Sequence, residues 1–211
     1  MEKMMIVNGS PRAPKSNSKA YIELFKLFWP SETGEYNVTS KKHHEACQKI
    51  EGCQHLLLVF PLYADGIPVT LMRFLQELHS HSFQQKPAIH VVINCGFIEP
   101  EQTSVAVDMI RLFCKQNHFP YGMTLCIGSG EAILNTPFVF LVKRKMKRMA
   151  HAIQEKRSEV LKVTMPLPKK VFVKASTSYW IGYAKKYNVT PDQMAVMEIE
   201  SYSGSSSNRG R

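Results

Sequence analysis

A polar loop follows the first apolar run of the chain and carries side chains suited to binding an anion. The run Met4–Asn8 (MMIVN) is followed by GSPRAPKSNS, and an amphipathic stretch begins at Asn17. A helix N-terminus attracts anions because its first backbone N–H groups are unpaired and its dipole favours negative charge. The candidate donors in and after this loop are Ser10, Arg12, Ser16, Asn17 and Ser18.

The same loop invites a second interpretation, as a nucleoside-triphosphate loop. Gly9, Lys15 and Ser16 have Walker-A spacing, but the position before the lysine, where that motif requires Gly, is Pro14. Proline has no backbone N–H to offer a phosphate, and Pro11 removes a second donor. The third apolar run also ends in Phe-Pro rather than in a metal-binding Asp. The loop therefore favours a single phosphate monoester, and helix capping by Ser16 or Asn17 is a compatible, simpler role.

Three further loops follow apolar runs that read as strands. They are PLYADGIP from Pro61, NCGFIEPE from Asn94 and GSGEA from Gly128. In an open parallel sheet, ligands bind beyond the carboxyl ends of the strands. The aromatic Tyr63 and the small residue Gly96, which permits close backbone approach, suit a flat heterocycle.

Apolar periodicity predicts five β-α units in strict alternation, which is typical of a doubly wound parallel sheet. The predicted strands are Met4–Asn8, Glu35–Ser40, His55–Tyr63, Ala88–Gly96 and, including its following loop, Tyr121–Gly130. The predicted helices are Asn17–Phe28, His43–Ile50, Pro68–His79, Thr103–Asn117 and Pro137–Leu161. We expect one domain over residues 1–165, a C-terminal extension of it with one helix over 166–200, and a disordered tail over 201–211.

Composition excludes several classes of protein. The 211 residues are 44% hydrophobic and 21% charged, as in ordinary globular proteins, and no apolar run reaches the ~20 residues of a membrane span. The first strand begins too early for a signal peptide, so we expect a cytoplasmic protein. The five cysteines include no CxxC pair, and the histidines lie near no carboxylate cluster. We expect reduced, structural cysteines and no metal site.

The net charge of +10 comes from the last third of the chain. Residues 1–140 contain 12 basic and 12 acidic side chains, whereas residues 141–211 contain 15 and 5. The basic run VKRKMKRMAHAIQEKR keeps helical apolar spacing, which favours a solvated outer helix face, with an acidic partner or membrane surface as the alternative. We expect no nucleic-acid partner because this run lacks interleaved aromatics. Tyr179, Trp180 and Tyr183 are expected to pack against the sheet or a partner subunit.

The loops NGSPRAPKSNS, PLYADGIP and NCGFIEPEQ, in this order and spacing, resemble those of the flavodoxin-like NAD(P)H-dependent FMN reductase and quinone reductase family. The resemblance covers about Met4 to Leu161. It implies a flavodoxin-like, doubly wound, five-stranded parallel α/β sheet of order 2-1-3-4-5, followed by a C-terminal helical extension. It also implies a homodimer.

The resemblance further implies FMN as cofactor and NADPH or NADH as co-substrate. Ser10, Arg12, Ser16, Asn17 and Ser18 would hold the FMN phosphate. Pro61, Leu62, Tyr63, Ala64 and Asp65 would line the isoalloxazine ring and ribityl chain. Asn94, Cys95, Gly96 and Phe97 would contact the pyrimidine side of the ring. Hydride would pass from nicotinamide to flavin N5 and on to a small acceptor such as a quinone or a flavin, and no protein general base is required.

Two other functions remain open. One is a flavodoxin-type FMN electron carrier, although carriers usually present an acidic face to their redox partners, unlike this neutral body with a basic last third. The other is a flavodoxin-like binding protein without flavin, against which the intact phosphate loop argues.

Overall fold

The computed structural model describes residues 2–196, and its central feature is a six-stranded sheet with helices on both faces. The strands are β1 (Met4–Asn8), β2 (Thr33–Asn37), β3 (His55–Pro61), β4 (Ala88–Asn94), β5 (Tyr121–Ile127) and β6 (Val160–Val163). The helices are α1 (Asn17–Lys26), α2 (His43–Ile50), α3 (Val69–Ser80), α4 (Ser104–Gln116), α5 (Val139–Gln154), α6 (Lys169–Lys185) and α7 (Pro191–Ala195).

The sheet is parallel throughout, with the strand order β2-β1-β3-β4-β5-β6. The predicted order of the first five strands is therefore confirmed. Asn8 pairs with Val59, and Pro61, Asn94 and Ile127 are aligned across β3, β4 and β5. This register brings the loops after β1, β3, β4 and β5 to one edge of the sheet.

The predicted count of five strands is wrong, because β6 occupies the end of the segment that was predicted as helix to Leu161. Helix α5 ends at Gln154, where Lys156 adopts a left-handed φ of 55° and the Arg157 N–H donates to the Ala152 carbonyl at 2.9 Å. This arrangement closes helices most often with Gly. With Lys at the left-handed position, the sequence carries no ordinary stop signal. Residues Val160–Val163 then pair in parallel with β5.

Helices cover both faces of the sheet because its central strands are almost wholly apolar. Helices α1 and α5 contact each other; α1 packs on β1 and β3, and α5 on β5 and β6. One contiguous core on the other face unites residues of α2, α3 and α4 with the strands. In α3 the residues at helical spacing are fully or almost fully buried, namely Leu71, Phe74, Leu75 and Leu78. Each such side chain contributes about 1.5–3 kcal/mol to folding.

A directed chain of hydrogen bonds lies at the amino edge of the sheet. The Met123 N–H donates to His90 Nδ1 at 2.9 Å, so the proton of this ring is on Nε2. His90 Nε2 is 3.1 Å from His55 Nδ1, and His55 Nε2 is 2.9 Å from a Glu2 carboxylate oxygen. Burial lowers the pKa of His90 to about 3, and the hydrogen bond from His55 lowers the pKa of Glu2. Burial, together with these hydrogen bonds, thus keeps the His90 side chain neutral.

Two compact units divide the chain, Met1–Pro166 and Leu167–Arg211. The described part of the second unit contains α6 and also α7, a short helix that the sequence did not predict, opened by a capping box between Thr190 and Gln193. Among residues 167–196 only Ala184 is buried. This unit therefore has no core of its own in its described part, and its assignment as an extension of the first domain stays a prediction. The tail predicted over 201–211 lies outside the described residues.

Smaller differences concern the ends of elements. Strand β2 begins two residues earlier than predicted, at Thr33, and Val38–Ser40 form a 3₁₀ turn instead of continuing it. Within residues 2–196, no helix is both long and apolar enough to cross a membrane.

Candidate functional site

The loops after β1, β3, β4 and β5 enclose a cleft of about 460 Å³ at the carboxyl edge of the sheet. The cleft brings together eleven of the fourteen predicted site residues: Ser10, Arg12, Ser16, Asn17, Ser18, Pro61, Leu62, Tyr63, Asn94, Cys95 and Gly96. The three that do not line it are Ala64, Asp65 and Phe97. Three lining residues were absent from the prediction: Pro11, Lys15 and Glu131.

Asn8, at the end of β1, organises the polar loop that follows. Its side chain is 2% exposed, its Oδ1 accepts from the Ser10 N–H at 3.3 Å, and its amide lies 3.5 Å from Ser16 Oγ. Ser10 Oγ in turn accepts from the Arg12 N–H at 3.2 Å. From outside, Thr39 Oγ1 donates to the Ala13 carbonyl at 3.1 Å. These bonds fix the loop before any ligand binds, and an Asn ending a buried apolar strand is the signal that sequence reasoning overlooked.

Helix α1 presents its N-terminus to the cleft. Ser16 is the N-cap, because its Oγ accepts from the Lys19 N–H at 3.3 Å. Two residues later Ser18 is 1% exposed, and its hydroxyl has no hydrogen-bond partner within the described structure. An unpaired buried hydroxyl costs about 1–3 kcal/mol. The hydroxyl oxygen itself is shielded from solvent, so a ligand oxygen at this helix end would supply the missing partner only once the Ser18 side chain turned toward the cleft.

Two cations lie at the same end of the cleft. Arg12 and Lys15 are exposed, and neither forms an ion pair with any residue in the range 2–196. Together with the N-terminal dipole of α1 they make this end of the cleft electropositive. Lys15 had been considered only as a Walker-A lysine, so its place in the cleft was missed.

The loop after β3 turns back on itself as soon as it leaves the cleft. Tyr63 and Gly66 exchange two backbone hydrogen bonds of 3.0 Å, and between them Ala64 and Asp65 have left-handed φ values of 45° and 58°. Two left-handed central residues define a type I′ turn. The turn places Ala64 and Asp65 at an exposed tip, while Pro61, Leu62 and the 62% exposed Tyr63 line the cleft.

The loop after β4 is held by hydrogen bonds to both neighbouring strands. Asn94 Nδ2 donates to the Phe60 carbonyl at 3.2 Å, and the Cys95 N–H donates to the Ile127 carbonyl at 2.9 Å. Burial raises the pKa of Cys95 to about 11, so its thiol is neutral and is no nucleophile at physiological pH. A Cβ on Gly96 would meet nothing within 4 Å, which leaves open space above the backbone there. Phe97 is half exposed.

The loop after β5 packs closely against Asn94. A Cβ on Gly130 would lie 2.8 Å from Asn94 Cβ, so only glycine permits this approach. The hydroxyl of buried Tyr21 donates to the Gly130 carbonyl and ties the loop to α1. Glu131 is the acidic member of the cleft lining. Its position directly after the loop GSG, at the end of a predicted strand, was the available signal.

The arrangement favours binding over acid–base or nucleophilic catalysis. One end of the cleft offers hydroxyls, a helix N-terminus and two cations, whereas the rest offers apolar and aromatic side chains and backbone. No group of three or more His, Cys, Asp or Glu residues capable of holding a metal ion occurs within residues 2–196. An elongated ligand with one anionic end and a flat polar ring fits this pattern.

Known proteins resemble this chain in structure rather than in sequence. No protein-family model matches it, and no curated protein matches it significantly. An FMN-dependent NADH-azoreductase of Bacillus anthracis, solved with FMN, is 13% identical with a TM-score of 0.55, covering 72% of this chain and 99% of its own. An NAD(P)H:quinone oxidoreductase of Methanothermobacter marburgensis is 12% identical with a TM-score of 0.55. The match covers 72% of this chain and 97% of that protein.

A flavodoxin of Streptococcus pneumoniae TIGR4 is likewise similar in structure at low sequence identity. It is 14% identical, with a TM-score of 0.54, and the match covers 73% of this chain and 99% of the flavodoxin. At these identities the likeness shows the fold alone. The chain has a flavodoxin-like fold.

Proposed function

We propose that this protein binds FMN and is an NAD(P)H-dependent oxidoreductase that reduces a small acceptor. The observation that carries the proposal is the buried, unpaired hydroxyl of Ser18 at the electropositive end of the cleft. A buried hydroxyl without a hydrogen-bond partner destabilises the folded protein unless a ligand forms a hydrogen bond with it.

The residues present fit the phosphate of FMN. Ser18 Oγ and the free N–H groups of the first turn of α1 would donate to phosphate oxygens, and Arg12 and Lys15 would balance the charge. Ser10 and Ser16 already hold the loop in place through their hydrogen bonds. A single phosphate satisfies this set, and Pro11 and Pro14 leave too few backbone donors for a triphosphate.

The remainder of the cleft fits the isoalloxazine ring. Pro61, Leu62 and Tyr63 would flank the ring from β3, while the backbone of Asn94, Cys95 and Gly96 would face its pyrimidine side. Ala64, Asp65 and Phe97, which the family resemblance includes, would touch the ring only if the loops after β3 and β4 rearranged. Bound FMN would accept a hydride at N5 and pass it on. The chain itself would bind and orient the ring, and this hydride chemistry requires no protein general base.

Room for a nicotinamide and for an acceptor is left on the open side of the cleft. Tyr63 is 62% exposed, and no described atom lies within 4 Å of where a Cβ on Gly96 would be. The names of the structural neighbours, an FMN-dependent NADH-azoreductase and an NAD(P)H:quinone oxidoreductase, support the same class of reaction. We propose a quinone, a flavin or a similar small molecule as acceptor, and a cytoplasmic homodimer as the working form.

The test is a flavin spectrum followed by anaerobic reduction. Purified protein, reconstituted with FMN where necessary, should show the bands of bound oxidised flavin, and NADH or NADPH should bleach them. Bound flavin that stays oxidised with both nicotinamides would instead favour an electron carrier. A protein that takes up no FMN would refute the proposal.

A further inference from the structure

The second compact unit exposes an unusual amount of apolar surface. Of the eighteen large hydrophobic side chains that are exposed among residues 2–196, nine lie in residues 171–196. Exposed apolar patches of this kind mark surfaces that bind a partner or a membrane.

The exposed aromatic rings of α6, together with Tyr187 just after its end, form one continuous surface. Ring centroids are 5.3 Å apart between Tyr179 and Trp180, 5.9 Å between Trp180 and Tyr183, and 5.3 Å between Tyr183 and Tyr187. Spacings of three and four residues keep Tyr179 and Trp180 on the same helix face as Tyr183 and Tyr187. Next to this face, α6 and Met194 of α7 line a groove of about 340 Å³. We call the rings and this groove the aromatic face.

A strong positive charge accompanies the aromatic face. Residues 167–196 contain five lysines and a single acidic residue, Asp192. The lysines are Lys169, Lys170, Lys174, Lys185 and Lys186, which are all exposed. Lys186 Nζ lies 6.0 Å from the Tyr183 ring centroid. Whatever covers the aromatic face must therefore be compatible with a dense cluster of cations.

We propose that α6 and α7 dock on the surface of an anionic phospholipid bilayer. Trp and Tyr are enriched at the headgroup level, where an amphipathic ring has one apolar and one wet end, and lysine stems reach past them to lipid phosphates. Each lysine near an anionic bilayer strengthens binding about fivefold. The unit lies on the membrane and does not cross it, in keeping with the absence of a membrane-spanning helix among residues 2–196.

Two other occupants fit the surface less well. A second copy of residues 167–196 would bring ten lysines together, so like-charge repulsion opposes pairing through this unit. Single-stranded nucleic acid could stack on the rings, but it makes no use of exposed aliphatic side chains such as Val171 and Val173. Residues 167–196 also contain no arginine, the side chain that stacks on bases and forms bidentate hydrogen bonds with phosphate.

The experiment is co-sedimentation of the full chain with vesicles of phosphatidylcholine, with and without phosphatidylglycerol. We expect binding only when phosphatidylglycerol is present, weakening as salt is raised. Trp180 emission should shift to shorter wavelength on binding. The second tryptophan, Trp29, is only 7% exposed and gives a constant background.

Paired variants locate the binding surface. Lys186→Gln, at the C-cap of α6, should weaken vesicle binding about fivefold, since this lysine lies beside the Tyr183 ring. The same change on the other basic helix, Lys147→Gln in α5, should leave it within about twofold. Val173→Ser should weaken binding, whereas Leu112→Ser in α4, at a site of similar exposure (54% against 51%), should not.

Several results would overturn the proposal. They are equal binding to both kinds of vesicle, no binding to either, and a weaker effect of Lys186→Gln than of Lys147→Gln. A Trp180 shift produced by a single-stranded oligonucleotide at lower concentration than by vesicles would assign the surface to nucleic acid. A dimer that Val173→Ser converts to monomer, measured by sedimentation without lipid, would assign it to a second copy.

Discussion

Replacing Ser18 by alanine should have opposite effects on the apoprotein and on cofactor binding. The Ser18 hydroxyl is buried and unpaired at the N-terminus of α1. In the apoprotein its removal relieves a desolvation cost of about 1–3 kcal/mol. In the complex the same change removes a donor to a charged phosphate, which contributes about 1.5–3 kcal/mol.

These magnitudes predict two measurable numbers. FMN affinity of Ser18→Ala should fall roughly ten- to a hundredfold. The midpoint of thermal unfolding of the apoprotein should stay the same or rise, by about 2–4 °C for each kcal/mol gained in a domain of this size. An ordinary destabilising mutation would lower the apoprotein's midpoint, so the two effects together distinguish a ligand-binding hydroxyl from a structural one.

The assay is titration of flavin-free protein with FMN, followed by quenching of flavin fluorescence, together with thermal unfolding of the apoprotein. Thr70→Val in α3 is the matched control, because the Thr70 hydroxyl is also buried and unpaired but does not line the cleft. It should stabilise the apoprotein similarly and leave FMN affinity unchanged. An unchanged affinity in Ser18→Ala would refute the reasoning.

Three further predictions concern other parts of the molecule. Arg12→Ala should weaken FMN binding by a few-fold to a hundredfold, on the order of 1–3 kcal/mol. Apoprotein stability should stay unchanged because Arg12 is exposed. An unchanged FMN affinity would show that Arg12 does not belong to the phosphate site. Stability should decline as the pH falls from about 6.5 toward 3, because burial lowers the pKa of His90 to about 3 and the unfolded chain then takes up the proton first. The free energy of unfolding, measured in urea, should change with pH by up to about 1.4 kcal/mol per pH unit. His90→Gln should make this dependence weaker. An equal pH dependence in the variant would contradict its assignment to His90. Lys156→Gly should raise the free energy of unfolding by about 1 kcal/mol, because glycine accepts the left-handed φ of 55° without the strain of a Cβ. A loss of stability in the same assay would show that the Lys156 side chain contributes more stability than the strain costs.

The parallel sheet could be predicted because buried strands leave a strong local signal. Strand β1 and helix α2 match the predicted bounds at both ends, since each is a short apolar or amphipathic run between polar residues. Strand β6 could not be predicted in this way. Its four residues are buried alternately and continue the helical pattern of α5 in the sequence, and only pairing with β5 makes them a strand.

The candidate site was predictable to the extent that it lies at strand ends. Residues that end β3 and β4 or directly follow them, such as Pro61, Asn94 and Leu62, had to reach the carboxyl edge of the sheet once the strands were known. Residues further along a loop did not follow the same rule. The type I′ turn at Ala64 and Asp65 directs them away from the cleft.

The sequence alone predicted the class of fold, the edge of the sheet at which the cleft lies, and, through Pro11 and Pro14, that the loop does not suit a triphosphate. These depend on local chemistry, namely apolar periodicity, donor types and the missing N–H of proline. Only the tertiary structure decided that Asn8 would pin the loop, that Ser18 would be left unpaired, and that Glu131 would join the cleft. Each of these depends on the folded positions of side chains. Asn8 bonds to Ser10 and Ser16 only in the folded loop, and the burial of Ser18 and the approach of Glu131 depend on the tertiary packing around them.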